Sequence, residues 1–342
     1  GSATNLNGNI DIDTESSGST TGVYAKSGAQ ISLGTQGKDN TVNIVSSGTN
    51  SSYGIYSHDG DSNITVNGKS NITAGTGVRA ASGNASVTFN GDAIINSDIG
   101  VKAEGGNKKE EINTIKFNKV LKIVSTNTGI DAKHSCLYFK DTDIDAKTGV
   151  NAVATINIGD NSETKLNFEG STIITTSDTG LIAKGSVGGK YGCSGTVIDF
   201  KGKTAIASDG NGIIVQGSSG SERVALDTSV TFKGQTDITA STGVGVKVSG
   251  ANSSKSVPVD VTLVRFNGAT KIDAPTAIQT SKGNGSGGAS VTFAYNPTPI
   301  NVSAKREDAT SADSQVNGSV TGDGNLVKSG SGSLAFNGDN SG

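Results

Sequence analysis

The sequence contains no tryptophan, no methionine and only four prolines in 342 residues. Glycine meanwhile occupies 49 positions, roughly twice its usual share, and that pairing of absences and excess excludes a helical protein. Aromatics make up only 4% of the chain, so any core must rest mainly on aliphatic side chains. Neither sign of charge dominates. A net charge of −3 leaves no electrostatic footprint for nucleic acid or for an anionic membrane, and neither is an expected partner. No apolar run approaches the roughly 18 residues needed to span a bilayer, so this segment is not expected to insert into a membrane. No charged, then apolar, then small-residue leader opens the chain, and Gly1-Ser2 reads as a remnant of cloning.

The same scarcity bears on chemistry. There are two histidines, His58 and His134, in different parts of the chain, and no arginine lies beside an aspartate cluster repeated along the sequence. Polymer-cleaving β-helices need such clusters for acid and base work, so an enzyme is not expected. Gly217-Ser218-Ser219-Gly220 reads as a loop spacer, because no histidine is placed by sequence to activate a serine. Gly322-Asp323-Gly324-Asn325 resembles a calcium-binding repeat but occurs once, whereas such sites draw ligands from consecutive turns. It is read as a turn. Neither a metal nor a cofactor is expected.

What the chain does have is valine, isoleucine and threonine in short runs between glycine, asparagine and serine turns, the composition of many short strands. These runs repeat. A Thr-Gly-apolar unit recurs as Thr21-Gly22-Val23, Tyr53-Gly54-Ile55, Thr76-Gly77-Val78, Ile99-Gly100-Val101, Thr128-Gly129-Ile130, Thr148-Gly149-Val150, Thr179-Gly180-Leu181, Asn211-Gly212-Ile213 and Thr242-Gly243-Val244, with Thr276-Ala277-Ile278 as a degenerate tenth. An apolar-x-Phe unit follows most of them, ending at Phe89, Phe117, Phe168, Phe200, Phe232, Phe266 and Phe293. A third short strand of the type Thr236–Ala240 lies between each Phe and the next Thr-Gly.

Three strands of three to five residues cannot close a core alone, but stacked in register they can. The expected fold is therefore all-β: a right-handed, single-stranded parallel β-helix with three strands per coil. Ten units and two ends give about twelve coils, a rod about 60 Å long at the strand spacing. A propeller blade would need four antiparallel strands and about 40 to 50 residues, longer than these repeats. The organisation read from the chain is one domain over 1–342, with coils over 3–293, an irregular segment over 294–323 and a distinct terminal unit over 324–342. Phe168, Phe200, Phe232 and Phe266 are expected in one interior column.

Segment lengths divide the coil into two parts. From each Phe-type anchor to the next repeat glycine the distance stays between 10 and 12 residues, while from that glycine to the following anchor it runs from 10 to 23. Insertions at one point of a solenoid repeat stack on one edge, so the loops are expected to form a longitudinal ridge, broadest after Gly149, Gly180, Gly212 and Gly243. Lys190, Tyr191, Arg223 and Lys255 fall on these segments and are the expected contact residues for a partner.

The terminal unit, GNLVKSGSGSLAFNGDNSG over Gly324 to Gly342, alternates apolar and polar residues around Gly330 and Gly332. Its spelling resembles the strand repeat that closes the passenger region of many bacterial autotransporters, just before their stalk and outer-membrane barrel. The repeat region as a whole resembles a pertactin-like passenger. The short Thr-Gly-Val and Val-Thr-Phe-x-Gly units are similar to those of pro-angiogenic passengers that activate a vascular endothelial growth factor receptor. This resemblance implies a virulence factor, secreted or held at the bacterial cell surface by an outer-membrane barrel beyond residue 342. It also implies a host cell-surface receptor or matrix protein as partner. An adhesin is the competing role, and a self-associating aggregation factor the third. In an exported protein the only two cysteines, Cys136 and Cys193, are expected to be bridged. Their distances from Gly129 and Gly180 put both on the decorated edge; two coils separate those anchors, so the loop around Tyr191 must carry Cys193 across the gap.

Overall fold

The computed structural model describes residues 2–106, 111–154, 163–189, 195–220, 228–253, 262–283, 288–295 and 314–338. Among these the regular structure is entirely β, in 31 strands with no helix, stacked in parallel as a β-solenoid. One wall is a twelve-stranded sheet that runs from Ala3–Leu6 through strands such as Ser86–Phe89 and Thr196–Phe200 to Asn325–Lys328. The other two walls are a single sixteen-stranded sheet folded lengthwise. Ala93–Glu104 and Thr172–Lys184 pass without a break through both of its halves, while Thr204–Ser208 and Asn211–Gln216 are separate strands on either side of the fold line. Below, the apolar-x-Phe strands form the first wall, the Thr236–Ala240 type the second, and the strands beginning at the repeat glycine the third.

Strand alternation sends every second side chain inward, and equal leg lengths put equivalent residues in register from coil to coil. The first wall therefore stacks Phe89, Phe117, Phe139, Phe168, Phe200, Phe232, Phe266 and Phe293 in one column, each ring essentially inaccessible to solvent. Neighbouring centroids lie 4.5 to 5.8 Å apart with ring planes within 23° of parallel. Phe168, Phe200, Phe232 and Phe266, expected in one column, stand in one that is eight rings long. Phe139, at the end of Ser135–Phe139, belongs to it as well.

About nine turns close fully, against the expected twelve. The twelve-strand count of the first wall includes Ala3–Leu6 and Asn325–Lys328, whose residues are all exposed, so these end strands lengthen the sheet without enclosing an interior. Within the segment read as irregular, Ser314–Gly322 is a strand paired with Thr270–Ser281 and with Leu334–Phe336.

The repeat glycine marks the fold line between second and third walls, and the reason is space. A Cβ on Gly212 would stand 2.7 Å from Ile238 Cγ2 and 2.5 Å from the Gly245 carbonyl oxygen, closer than real Cβ atoms come. Gly22, Gly54, Gly77, Gly100, Gly129, Gly149 and Gly180 are held the same way, each against the isoleucine of the next coil's second wall and the next ladder glycine. One assignment needs correcting. The residue after Gly212 in this ladder is Gly245, not Gly243, because Ile213 pairs with Val246. In that coil four residues separate Ala240 from Gly245, against three between Ser208 and Gly212 in the coil before, and the Thr242-Gly243-Val244 spelling sits two positions ahead of the ladder glycine. Ala277 takes the following place, where the ladder ends. Gly212→Ala is expected to cost about 1–3 kcal/mol through overpacking. Urea denaturation checks it, and unchanged stability would show that the fold line can yield.

Candidate functional site

The coil returns from third wall to first wall through connections of very different length. Lys133 is joined to Ser135 by His134 alone, held in the left-handed region at φ 44°. At the other extreme are the connections following Val153, Lys184, Gln216 and Ser249. These four leave the rod as a stack. Ala154 N–H donates to Lys184 O, Gly185 N–H to Gln216 O, Gly217 N–H to Ser249 O and Gly250 N–H to Ser281 O, at 2.8 to 2.9 Å. Three of them then form a small parallel sheet of their own, Val187–Gly189, Ser219–Gly220 and Asn252–Ser253. The bases of the long loops therefore lie side by side on one edge. Lys190, Tyr191, Arg223 and Lys255 fall beyond those bases, outside the described residues.

Cys136 is not on this edge. Because the connection before it is a single residue, seven positions past Gly129 already lies inside the first-wall strand Ser135–Phe139. There it is half-buried, in register between Thr114 and Lys165, and it makes no disulfide among the described residues. Burial pushes that thiol above its ordinary pKa, with Lys165 opposing and Glu163 adding to the shift. Cys193 lies outside the described residues, and the expected bridge with it.

The third wall carries a second feature that repeat-by-repeat reading does not find. Where the connecting loops are short, three of the six tyrosines converge with an arginine and a histidine. Tyr24 and Tyr56 occupy one row on successive coils with centroids 5.3 Å apart, and Tyr53 reaches Tyr56 at 5.0 Å from the fold line. His58 meets Tyr56 edge-on at 5.3 Å. Arg79 follows Tyr56 in the row, its guanidinium 4.9 Å from the Tyr56 centroid and 5.3 Å from that of Tyr53. One guanidinium nitrogen donates to Tyr53 Oη at 2.9 Å and another to Glu104 Oε2 at 2.7 Å, and Lys102 holds the second Glu104 oxygen at 3.2 Å.

Electrostatics inside this patch follow from half-burial among charges. Burial raises the Tyr56 hydroxyl above its usual pKa despite Arg79, and burial also lowers His58, leaving a neutral ring at pH 7. Burial opposes the charged form of Glu104, but Lys102 and Arg79 outweigh it and hold the carboxyl below its ordinary range. Asp131, next in the row after Lys102, is raised by burial against the pull of Asn151 and Lys102. A sequence signal for the patch does exist: Tyr24, Tyr56, Arg79, Lys102 and Asp131 each stand two residues after their ladder glycine.

Among the described residues no group of three or more His, Cys, Asp or Glu side chains is arranged to hold a metal ion. What the geometry offers is surface on a rigid support, a ridge of loop bases toward one end and an aromatic–cationic patch toward the other. Comparison with protein-family models, curated proteins and solved structures gives no match for this chain.

Proposed function

We propose that the chain is a binding rod, the passenger region of an autotransporter that is exported to the bacterial surface or beyond and engages a host cell-surface protein as a virulence factor. The observation that carries this reading is the four-loop stack from Ala154 to Ser281, bonded backbone to backbone as it leaves the rod. Loops on a rigid scaffold are where recognition concentrates, and adjacent loops can together approach the ~800 Å² per partner of a standard interface. The passenger assignment itself rests on the Gly324–Gly342 unit and the coil spelling.

Within that reading the units similar to pro-angiogenic passengers favour an agonist of a vascular endothelial growth factor receptor over an adhesin or an aggregation factor. The three roles separate in one experiment. Soluble rod is added to endothelial cells, and the receptor is blotted for phosphotyrosine while cell-bound rod is quantified. An agonist binds and raises phosphorylation. Binding without phosphorylation replaces the agonist with an adhesin, and no binding together with rod dimers in ultracentrifugation replaces it with a self-associating factor.

A further inference from the structure

The third wall presents two rows over the first coils, Tyr24, Tyr56, Arg79, Lys102 and Asp131 in one, and Lys26, His58, Ala81, Glu104 and Lys133 in the other. Three properties of these rows go beyond what holding the solenoid together requires. The first is composition: tyrosine and arginine dominate the energetics of protein interfaces, because they bring large area and polar tips at low cost in side-chain freedom.

The second is rigidity. Arg79 is fixed by Tyr53, Glu104 and two ring faces, Tyr56 is packed on both Tyr24 and Tyr53, and Tyr53, Tyr56 and Arg79 stand on strands paired on both sides, while Tyr24 stands on the edge strand Ser19–Lys26, paired with Ser51–His58 alone. Little is left to order on binding. The third is charge. Lys26, Arg79, Lys102 and Lys133 stand on these rows with Glu104 and Asp131, and Asp59 and Asp61 lie in the turn after His58, so the charges balance in number and what matters is their placement, with Lys26 beside the rings. Lys26 and Lys133 carry no ion pair among the described residues.

We propose that this patch is a second protein-contact area, which receives an apolar or aromatic side chain of the partner framed by carboxylates. The inference rests on the binding-rod reading and assigns the patch to the same cell-surface partner as the loop ridge. The ring geometry favours protein over carbohydrate. Tyr24 and Tyr56 are tilted by 37°, Tyr53 and Tyr56 by 34°, and His58 stands at 77° to Tyr56. No common plane exists for successive sugar rings, whereas the clefts between tilted rings suit single side chains. Lys26, next to His58 in its row, flanks those clefts and complements a carboxylate of the partner, and Lys133, three coils beyond His58 along the row, offers a second such contact.

The test compares wild-type rod, a Tyr24→Ala/Lys26→Glu variant and a Tyr24→Phe variant on intact, trypsin-treated and glycosidase-treated endothelial cells. Tyr24 is 46% exposed and Lys26 is exposed, so neither change removes core packing. The double variant is expected to bind at least about tenfold more weakly with an unchanged β spectrum, and Tyr24→Phe to keep wild-type binding. Trypsin is expected to abolish wild-type binding, and glycosidase to leave it. Equal affinity of double variant and wild type overturns the patch alone and leaves the ridge standing. Binding that survives trypsin but is lost with glycosidase assigns the surface to carbohydrate and also overturns the proposal. Failure of wild-type rod to bind any of these cells overturns the binding-rod reading and the patch together.

Discussion

Phe232→Ala is expected to destabilise the rod by about 3–5 kcal/mol, the upper range for truncating a buried aromatic side chain. The Phe232 ring is fully buried, with Phe200 at 4.8 Å on one side and Phe266 at 5.2 Å on the other. A cavity in a globular core shrinks as neighbours lean in. Here the rings above and below are held by backbone ladders on both sides, Phe200 and Phe266 each being paired in register with residue 232. The gap cannot close along the axis without breaking those ladders, so the cavity term is felt almost in full. Phe293→Ala should cost less, because beyond Phe293 the register position is taken by Lys328 in a fully exposed strand. Urea denaturation of both variants checks the contrast, with hydrogen exchange locating the loss to coils around 232. A loss below about 1 kcal/mol for Phe232→Ala would show that the column is not what holds these coils together.

Shortening the four long connections is expected to abolish partner binding while leaving the solenoid intact. The native template for a short closure is present in the chain, where His134 alone joins third wall to first. Replacing 154–163, 185–195, 217–228 and 250–261 with closures copied from that turn removes the loops but keeps every strand of the three walls. Backbone bonds such as Gly185 N to Gln216 O would go with them, a modest loss beside the ladders that remain. Affinity for endothelial cells should fall at least about a hundredfold, the equivalent of about 2.7 kcal/mol. The circular dichroism spectrum should stay that of a β protein. Full affinity in the shortened rod would remove the ridge from the binding surface. A lost β spectrum would show that the loops support the coil.

The interior is legible in the sequence because it is dictated by a strict period. Phe168 to Phe266 fall in one column from spacing alone, since the path from Phe to glycine hardly changes length. Errors arise where local spelling and register part company. Thr242-Gly243-Val244 has the right letters two residues early, and only the pairing of Ile213 with Val246 reveals Gly245 as the ladder glycine. Counting from Gly129 puts Cys136 on the edge, but a one-residue closure has already returned the chain to the first wall. The tyrosine–arginine patch escapes for a different reason. Outward positions obey no repeat, so Tyr24, Tyr56 and Arg79 look unrelated along the chain and become neighbours only when read across coils. The loops themselves carry no periodic signal, which is why spacing locates their bases and nothing more.

A column of near-identical rings has a cost in identity. Eight phenylalanines at one position per coil make each turn a plausible neighbour for several others, so during folding a strand such as Ser229–Phe232 could dock on the wrong coil with its ring still stacked. Skipping a coil would loop out one repeat, a penalty that grows only slowly with loop length. What distinguishes one coil from the next is then the part that varies: Asn113 where the next coil carries Ser135 and later coils Thr164 and Thr196, His134 in place of a loop, and the ridge strands, in which Ser219–Gly220 pairs with Val187–Gly189 on one side and Asn252–Ser253 on the other. The irregular edge thus serves as an address label for assembly, and a rod made uniform to strengthen its core would gain packing while losing the means to count its own turns.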